Sequence, residues 1–218
     1  MPRSAIVTGG ASGIGRAIAR RLAADVARAE DGERLVALAA ERCGALDVLV
    51  NNAVLAGAHS KPLVDTEPED WDAMMAVNLR GPYLLCRAAV RQMLEQPLAG
   101  DVRGRIVNIT SQHGMVGCPG HFAYSVGKGG LVQMTRQIAV DYGPHGILCN
   151  AVAPGKIVTG TAGDLSASEE GLAYVRSRTP FARLGRPEDV AAAVSYLAGP
   201  ASYTSGINLM VDCGWMAY

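Results

Sequence analysis

The chain has little of what would place it in several large classes. Its 20 Lys+Arg balance its 20 Asp+Glu, so the net charge is zero, and no basic patch or stripe suited to a nucleic-acid backbone stands out. No apolar run approaches the length of a membrane span. The N-terminus leads straight into a strand-like Ser4–Thr8, without the charged, apolar and cleavage-site succession of a secretory leader. Five cysteines (Cys43, Cys86, Cys118, Cys149 and Cys213) are scattered, odd in number and free of C-x-x-C spacing. That pattern argues against a disulfide framework and for reduced, mostly buried thiols in a reducing compartment. A cytoplasmic protein with no metal centre is therefore expected. Internal repeats, low-complexity tracts and interdomain linkers are also missing.

What is present is core material. Hydrophobic residues make up 49% of the 218 and charged residues 18%, which suits one domain, 1–218, with a substantial interior. Short apolar runs at Ser4–Thr8, Leu46–Val50, Arg105–Thr110, Ile147–Val152 and Ile207–Val211 read as strands. Helical patterns at Arg16–Ala24, Leu35–Arg42, Pro68–Asn78, Tyr83–Glu95, Tyr124–Tyr142 and Pro187–Ala198 separate them. Apolar strands alternating with helices predict an α/β fold with a parallel sheet covered on both faces. Pro187 suits a first helical turn, and Glu188 and Asp189 favour its dipole. The polar, mixed stretch Gly160–Pro180 reads either as a mobile lid or as an ordinary surface insertion.

The first strand opens into Thr8-Gly9-Gly10-Ala11-Ser12-Gly13-Ile14-Gly15 and then a helical pattern. Glycines let the backbone turn tightly and approach a pyrophosphate, and a following helix N-terminus directs N–H groups at the anion. The spacing is G-x-x-x-G-x-G, not G-x-G-x-x-G. A second motif is Tyr124-Ser125-Val126-Gly127-Lys128. Positions i and i+4 share a helix face, and an ammonium beside a phenol, whose free pKa is about 10, favours the phenolate. Tyr124 is then a candidate acid/base for an alcohol proton. Ser111, at the end of the strand-like run Arg105–Thr110, is placed to hold a substrate oxygen beside it.

With these motifs in order along nearly the whole chain, the sequence resembles the classical short-chain dehydrogenase/reductase family. Thr8–Gly15 looks like its cofactor loop, and Asn51-Asn52-Ala53 like its strand-four motif, with Val54 in place of the usual Gly. Asn78, Ser111, Tyr124 and Lys128 fall where the family keeps its catalytic tetrad. Pro154-Gly155-Lys156-Ile157-Val158-Thr159 looks like the segment holding the nicotinamide. Val211-Asp212-Cys213-Gly214 resembles Val-Asp-Gly-Gly, from which Cys213 departs.

The resemblance implies a Rossmann-like doubly wound sheet and NAD- or NADP-dependent interconversion of a secondary alcohol and a ketone. Tyr124 would be the acid/base. Lys128 would lower its pKa and bond the nicotinamide ribose, Ser111 would orient the substrate oxygen, and Asn78 would hold a water that relays protons from Lys128. Cofactor contacts would come from Gly9, Ser12, Gly13, Ile14, Gly15, Asp25, Val26, Asn52, Ala53, Tyr124, Lys128, Pro154, Gly155, Ile157 and Thr159. A homo-oligomer, usually a tetramer, would form through the helices at Tyr83–Glu95 and Tyr124–Tyr142. Ala88, Ala89, Gly130 and Ala139 suit close helix approach there, or packing on the sheet. Gln112, His113 and His121 are the nearest polar candidates for substrate, which favours a polyol or sugar-type alcohol, with a hydroxyacyl compound close behind.

One segment departs from the pattern. Between Gly15 and Leu46 a dinucleotide fold should present a second strand ending in an acidic residue, yet Ala23–Arg34 contains no β-branched run. By resemblance, Asp25-Val26 matches the adenine-contacting pair that follows the family's third strand. The chain is thus expected to lack strand two, its helix and strand three, shortening the adenosine edge and weakening dinucleotide affinity. Strand one would be left as an exposed edge, shielded by Glu30, Asp31 and Arg34 or by a partner chain. Glu30, Asp31 and Glu33 are poor substitutes for the missing ribose acid, since no strand would place them. The rival reading is a truncated, non-catalytic module kept for binding or oligomer contacts.

Overall fold

The computed structural model describes residues 4–9, 25–26, 29–55, 60–159, 168–181, 183–199 and 201–217. Ser12, Gly13, Ile14 and Gly15, and the helical pattern Arg16–Ala24, lie outside them.

Six parallel strands form the sheet: β1 (Ala5–Thr8), β2 (Asp25–Val26), β3 (Val48–Asn51), β4 (Gly104–Ile109), β5 (Ile147–Pro154) and β6 (Asn208–Val211), in spatial order β2-β1-β3-β4-β5-β6. Every pairing is parallel. Alternation along the strands divides the apolar side chains between two faces. Val7, Val48, Val50, Val107, Ile109 and Val152 face α6 (Pro187–Ala198) through Val190, Val194 and Leu197. Ile6, Leu49, Ile106, Ile147 and Cys149 face the other way, toward Val36 of α1 (Ala29–Cys43) and Cys86, Ala89 and Met93 of α3 (Gly81–Leu94). A sheet buried on both sides explains why these strands appear in the sequence as continuous apolar runs.

Strand one is not an edge. Val7 pairs with Asp25 and Thr8 with Val26, so a two-residue strand covers its carboxyl-terminal half. This corrects the expectation of an uncovered β1 and gives Asp25-Val26 a place, as the outermost strand of the sheet. The chain then enters α1, which packs against α3 on the opposite side from α6. Glu33 is drawn to that helix: its carboxylate lies 3.8 Å from both Arg87 and Arg91.

Three further expectations are revised. Pro68–Asn78 is not one α-helix: α2 (Pro68–Met75) passes into a π-helical turn, Ala76–Arg80, before α3. Gly160–Pro180 carries a helix in its described part, α5 (Glu169–Arg178), whose Ser168 side chain accepts from the Gly171 N–H at 3.0 Å. Val175 is buried and the Tyr174 ring meets Trp215 at 5.9 Å, so α5 is docked on the C-terminal turn. Finally, Cys86 and Cys149 are buried, but Cys43 and Cys213 are exposed and Cys118 is half-buried; all five thiols are free.

The longest described helix, α4 (Phe122–Tyr142), packs on β5 and on the π-turn. Ala88 and Ala89 are buried within this one chain, so of the two roles open to them, packing on the sheet is the one observed.

Candidate active site

The site is assembled at the carboxyl ends of β1, β3, β4, β5 and β6, where ligands bind in open α/β sheets. A buried polar ladder fixes the register of its parts. Asn51 on β3 donates to Asn108 on β4 at 2.9 Å, and Asn108 donates to Thr135 on α4 at 2.9 Å. This ties the strand leading to Ser111 to the helix carrying Tyr124 and Lys128.

Ser111 ends β4's extension and caps a 3-10 turn, Gln112–Gly114, accepting from the His113 N–H at 3.2 Å. Its hydroxyl stands near enough to the Tyr124 phenol to oppose the effect of burial on that group. Lys128 lies one turn along α4, 2% exposed, its ammonium donating to the Ile109 carbonyl at 2.7 Å and standing 5.9 Å from the Tyr124 ring centroid. Burial lowers the Lys128 pKa to about 8.

Burial raises the Tyr124 pKa, and the Ser111 hydroxyl beside it opposes that shift.

Asn78 sits in the π-turn, fully buried. Its amide oxygen accepts from the Leu55 N–H at 2.9 Å, and its nitrogen donates to the Leu55 carbonyl at 2.8 Å and to Met74 Sδ at 2.8 Å. The side chain is therefore engaged at both ends with the segment after β3. The π-turn closes on α4 at Gly127, where an added Cβ would lie 3.2 Å from Met75 Cε and 3.5 Å from Asn78 Cβ.

The remaining candidates line the strand ends. Gly9, at φ +66°, passes so close to Asn52 and Ala53 that a Cβ would lie 3.0 Å from Asn52 Nδ2. Thr8 Oγ1 accepts from the N–H groups of Asn52 and Ala53 at 2.8 and 2.9 Å. Pro154 ends β5 beside Val211. Gly155 packs on Asp212, where a Cβ would fall 2.8 Å from Cα of that residue. Ile157 bridges to Gly185 and packs on the α6 face of the core, and Thr159 is half-buried beyond it.

These residues fit a nicotinamide dinucleotide at its nicotinamide end. The buried Lys128 ammonium has three donors, one of them on Ile109, which leaves capacity for ribose hydroxyls. The buried Gln112 Oε1 has no partner. At the adenosine end the described frame is the short β2 alone.

Chain comparisons agree with this geometry. Residues 11–216 match a family model described as "Enoyl-(Acyl carrier protein) reductase". The chain is 41% identical to 2-(R)-hydroxypropyl-CoM dehydrogenase of Xanthobacter autotrophicus, over 90% of this chain and 78% of that protein. It is 33% identical to glucose 1-dehydrogenase 2 of Bacillus subtilis, over 99% of this chain and 95% of that protein. That alignment runs over 252 residues, more than the 218 of this chain, so the relative carries residues without a counterpart here. A short-chain type dehydrogenase/reductase from Mycobacterium ulcerans shares the fold with a TM-score of 0.89, at 24% identity, over 99% of this chain and 90% of that one. The chain belongs to the short-chain dehydrogenase/reductase family, and is an NAD- or NADP-dependent oxidoreductase acting on a CH–OH group.

Sequence reasoning missed one cluster. His113 and His121 were separate polar candidates and Cys118 only a thiol, but the three stand together beside Tyr124, each imidazole 6.3 Å from the phenol ring. The C-x-x-H spacing of Cys118 and His121 was the available signal. Lys156 adds a half-buried cation, close enough to help burial lower the His113 pKa to about 4.

A cleft of about 420 Å³ lies elsewhere, between α5 and the start of α6, lined by Arg176, Arg183, Arg186 and neighbours. It contains none of the four tetrad positions. Among the described residues, no helix is long and apolar enough to cross a membrane.

Proposed function

We propose that the chain, as one dinucleotide-binding domain, interconverts a secondary alcohol and a ketone, with Tyr124 as the proton-transferring group. The observation that carries this is the Ser111 hydroxyl set beside the Tyr124 phenol, with Lys128 buried one turn away and its ammonium 5.9 Å from the phenol ring centroid. Ser111 holds the substrate oxygen by its hydroxyl and directs it at the Tyr124 phenol. In oxidation the Tyr124 oxygen takes the carbinol proton; in reduction it returns one to the carbonyl oxygen. The bound nicotinamide supplies or accepts the hydride. Lys128, Asn52, Ala53, Pro154, Gly155, Ile157 and Thr159 hold that cofactor, together with Gly9, Ser12, Gly13, Ile14 and Gly15 at its phosphates and Asp25 and Val26 at its adenine. The spare donors of Lys128 would go to its ribose. Asn78 positions the Asn52–Leu55 segment and lines the proton path from Lys128.

The substrate is a polyol or sugar-type alcohol, with a hydroxyacyl compound as the second class. Gln112, His113 and His121 offer hydrogen bonds to added hydroxyls, and glucose is the substrate named for one relative. A homo-oligomer, probed as a tetramer, and a cytoplasmic location complete the reading. The free thiols suit the latter, and the exposed Tyr83, Val126 and Val140 on α3 and α4 suit the former.

The two-residue β2 favours one rival, a binding module that no longer turns over. Calorimetric titration with NADH and NADPH, followed by a screen of polyols and hydroxyacyl compounds, separates the two. Saturable binding of one cofactor, and turnover that falls about 10²–10⁴-fold in Tyr124→Phe with unchanged circular dichroism, supports the enzyme. Turnover retained in Tyr124→Phe contradicts the role of the phenol. No turnover in either form supports the module.

A further inference from the structure

We propose that His113, Cys118 and His121 form a binding site for a borderline-soft divalent cation, Zn²⁺, beside Tyr124. One ligand atom from each of the three lies within 4.8 Å of the others. Two chain segments make this happen. Cys118-Pro119-Gly120-His121 is a tight turn in which the His121 N–H donates to the Cys118 carbonyl at 3.1 Å and Gly120 has φ +71°. Proline followed by a positive-φ glycine is the pattern of a type II turn, and it brings Cys118 Sγ to 3.5 Å from His121 Nδ1, which in the metal-free chain donates to the Pro119 carbonyl at 2.9 Å, a bond that ligation would replace. His113 arrives from the turn after β4, its ring centroid 5.4 Å from that of His121.

The dimensions suit the ion. Tetrahedral zinc holds sulfur at about 2.3 Å and imidazole nitrogen at about 2.0–2.1 Å, which sets ligand atoms roughly 3.3–3.7 Å apart. The Cys118–His121 pair already has that separation, and the third ligand needs to close by about 1 Å, within reach of side-chain rotation. One thiolate and two imidazoles select zinc over magnesium or calcium, which prefer oxygen. Three protein ligands leave a fourth position open for water or an exchangeable ligand.

Gln112 supplies an outer partner. It is 1% exposed, its Nε2 lies 3.3 Å from His113 Nε2, and its Oε1 is buried without a partner. Turning the amide over gives Oε1 the His113 Nε2–H to accept, which leaves Nδ1 of His113 as the ligand. Metal-bound imidazoles are commonly held by such a bond on the other nitrogen. An ion here would compete with substrate hydroxyls for the two imidazoles, and it places a dication next to the phenol.

The site stands independently of the oxidoreductase reading, and its test needs no substrate. The full chain, stripped of metal with chelator, is titrated with Co²⁺ by visible absorption and then with Zn²⁺ by calorimetry. One equivalent is expected, with a thiolate-to-cobalt band that Zn²⁺ abolishes. Cys118→Ser should remove the band, and His121→Asn should weaken binding by about tenfold or more, both with unchanged circular dichroism. The Cys43→Ser/Cys213→Ser double variant, which removes the two exposed thiols elsewhere, should bind as the parent does. A band that survives Cys118→Ser, a band lost in the double variant, or a dissociation constant weaker than on the order of 1 mM would overturn the assignment. Should Cys118→Ser fail to fold, His121→Asn and the double variant decide the matter.

Discussion

The Lys128 ammonium donates to the Ile109 carbonyl at 2.7 Å. That bond directs the charge at the end of β4 while leaving it 5.9 Å from the ring centroid of Tyr124, four residues before it. It is also the one hydrogen bond from this ammonium to a described residue, so the cation sits in the interior under-partnered. Burial accordingly depresses its pKa from 10.5 to about 8.

Such a depression makes stability depend on pH in a definite direction. Between about pH 8 and 10.5 the unfolded chain binds the proton that the folded chain releases, so stability rises with pH. The contribution is complete above the upper limit and is lost as pH falls through the lower one. Lys128→Met removes it, together with the site. In urea unfolding of the protein without cofactor, the parent should gain on the order of 3 kcal/mol relative to Lys128→Met across that interval. Parallel curves for the two proteins would show that Lys128 is not desolvated.

Asn78 yields a prediction that separates positioning from proton relay. Its amide satisfies both the N–H and the carbonyl of Leu55. Asn78→Ala should cost about 1–3 kcal/mol for each group left buried and unpaired, read in urea unfolding, and should loosen the segment after β3 in hydrogen exchange. A variant as stable as the parent would mean that water replaces the amide, and that its contribution is confined to the proton path.

How much of this was visible beforehand follows from the range of each interaction. The apolar strand runs and Pro187 at the first turn of α6 express local chemistry, and their elements appear where the sequence places them. Tyr124, Ser111 and Lys128 converge because Ser111 follows β4 and the other two lie in the first two turns of α4, elements whose positions the sheet dictates. The direction of the Lys128 ammonium depended on a carbonyl nineteen residues away, which no helical spacing encodes. The Asp25-Val26 strand escaped notice because two residues give no alternation to read; its pairing comes from β1 alone. The π-turn at Ala76–Arg80 likewise has no periodic signature and is set by tertiary contact with α4.

Cys213 occupies the place where the resembled motif has a glycine, and the structure shows why glycine suits it. Its φ is +51°, the one positive value at a non-glycine among the described residues. A side chain in that region costs about 1–2 kcal/mol, while glycine gives back about 0.5–1 kcal/mol in chain entropy. Cys213→Gly should therefore raise stability by up to about 1 kcal/mol, or about 2–4 °C in melting temperature. Cys213→Val, β-branched, should lower it. The same sign for both variants would show that side-chain contacts outweigh the backbone there.

Trp215 connects the C-terminal turn to α5 and so to the region above the strand ends. It is 8% exposed; Tyr174 meets its ring at 5.9 Å and the Arg178 guanidinium lies over it at 5.0 Å. The turn carrying it is itself held by Asp212, whose carboxylate accepts from the N–H groups of Gly214 at 3.1 Å and Met216 at 2.9 Å. Removing the ring in Trp215→Ala leaves α5 with Val175 as its one buried large apolar side chain, at a cost of about 3–5 kcal/mol. Because that loss falls on one helix, limited proteolysis should cut Glu169–Arg178 first, while hydrogen exchange in β3, β4 and β5 stays slow. Trp215→Phe keeps an aromatic face for Tyr174 and Arg178 and should recover most of the protection. Uniform loss of protection across the sheet would instead make Trp215 part of the global core, and α5 would no longer be a separately docked element.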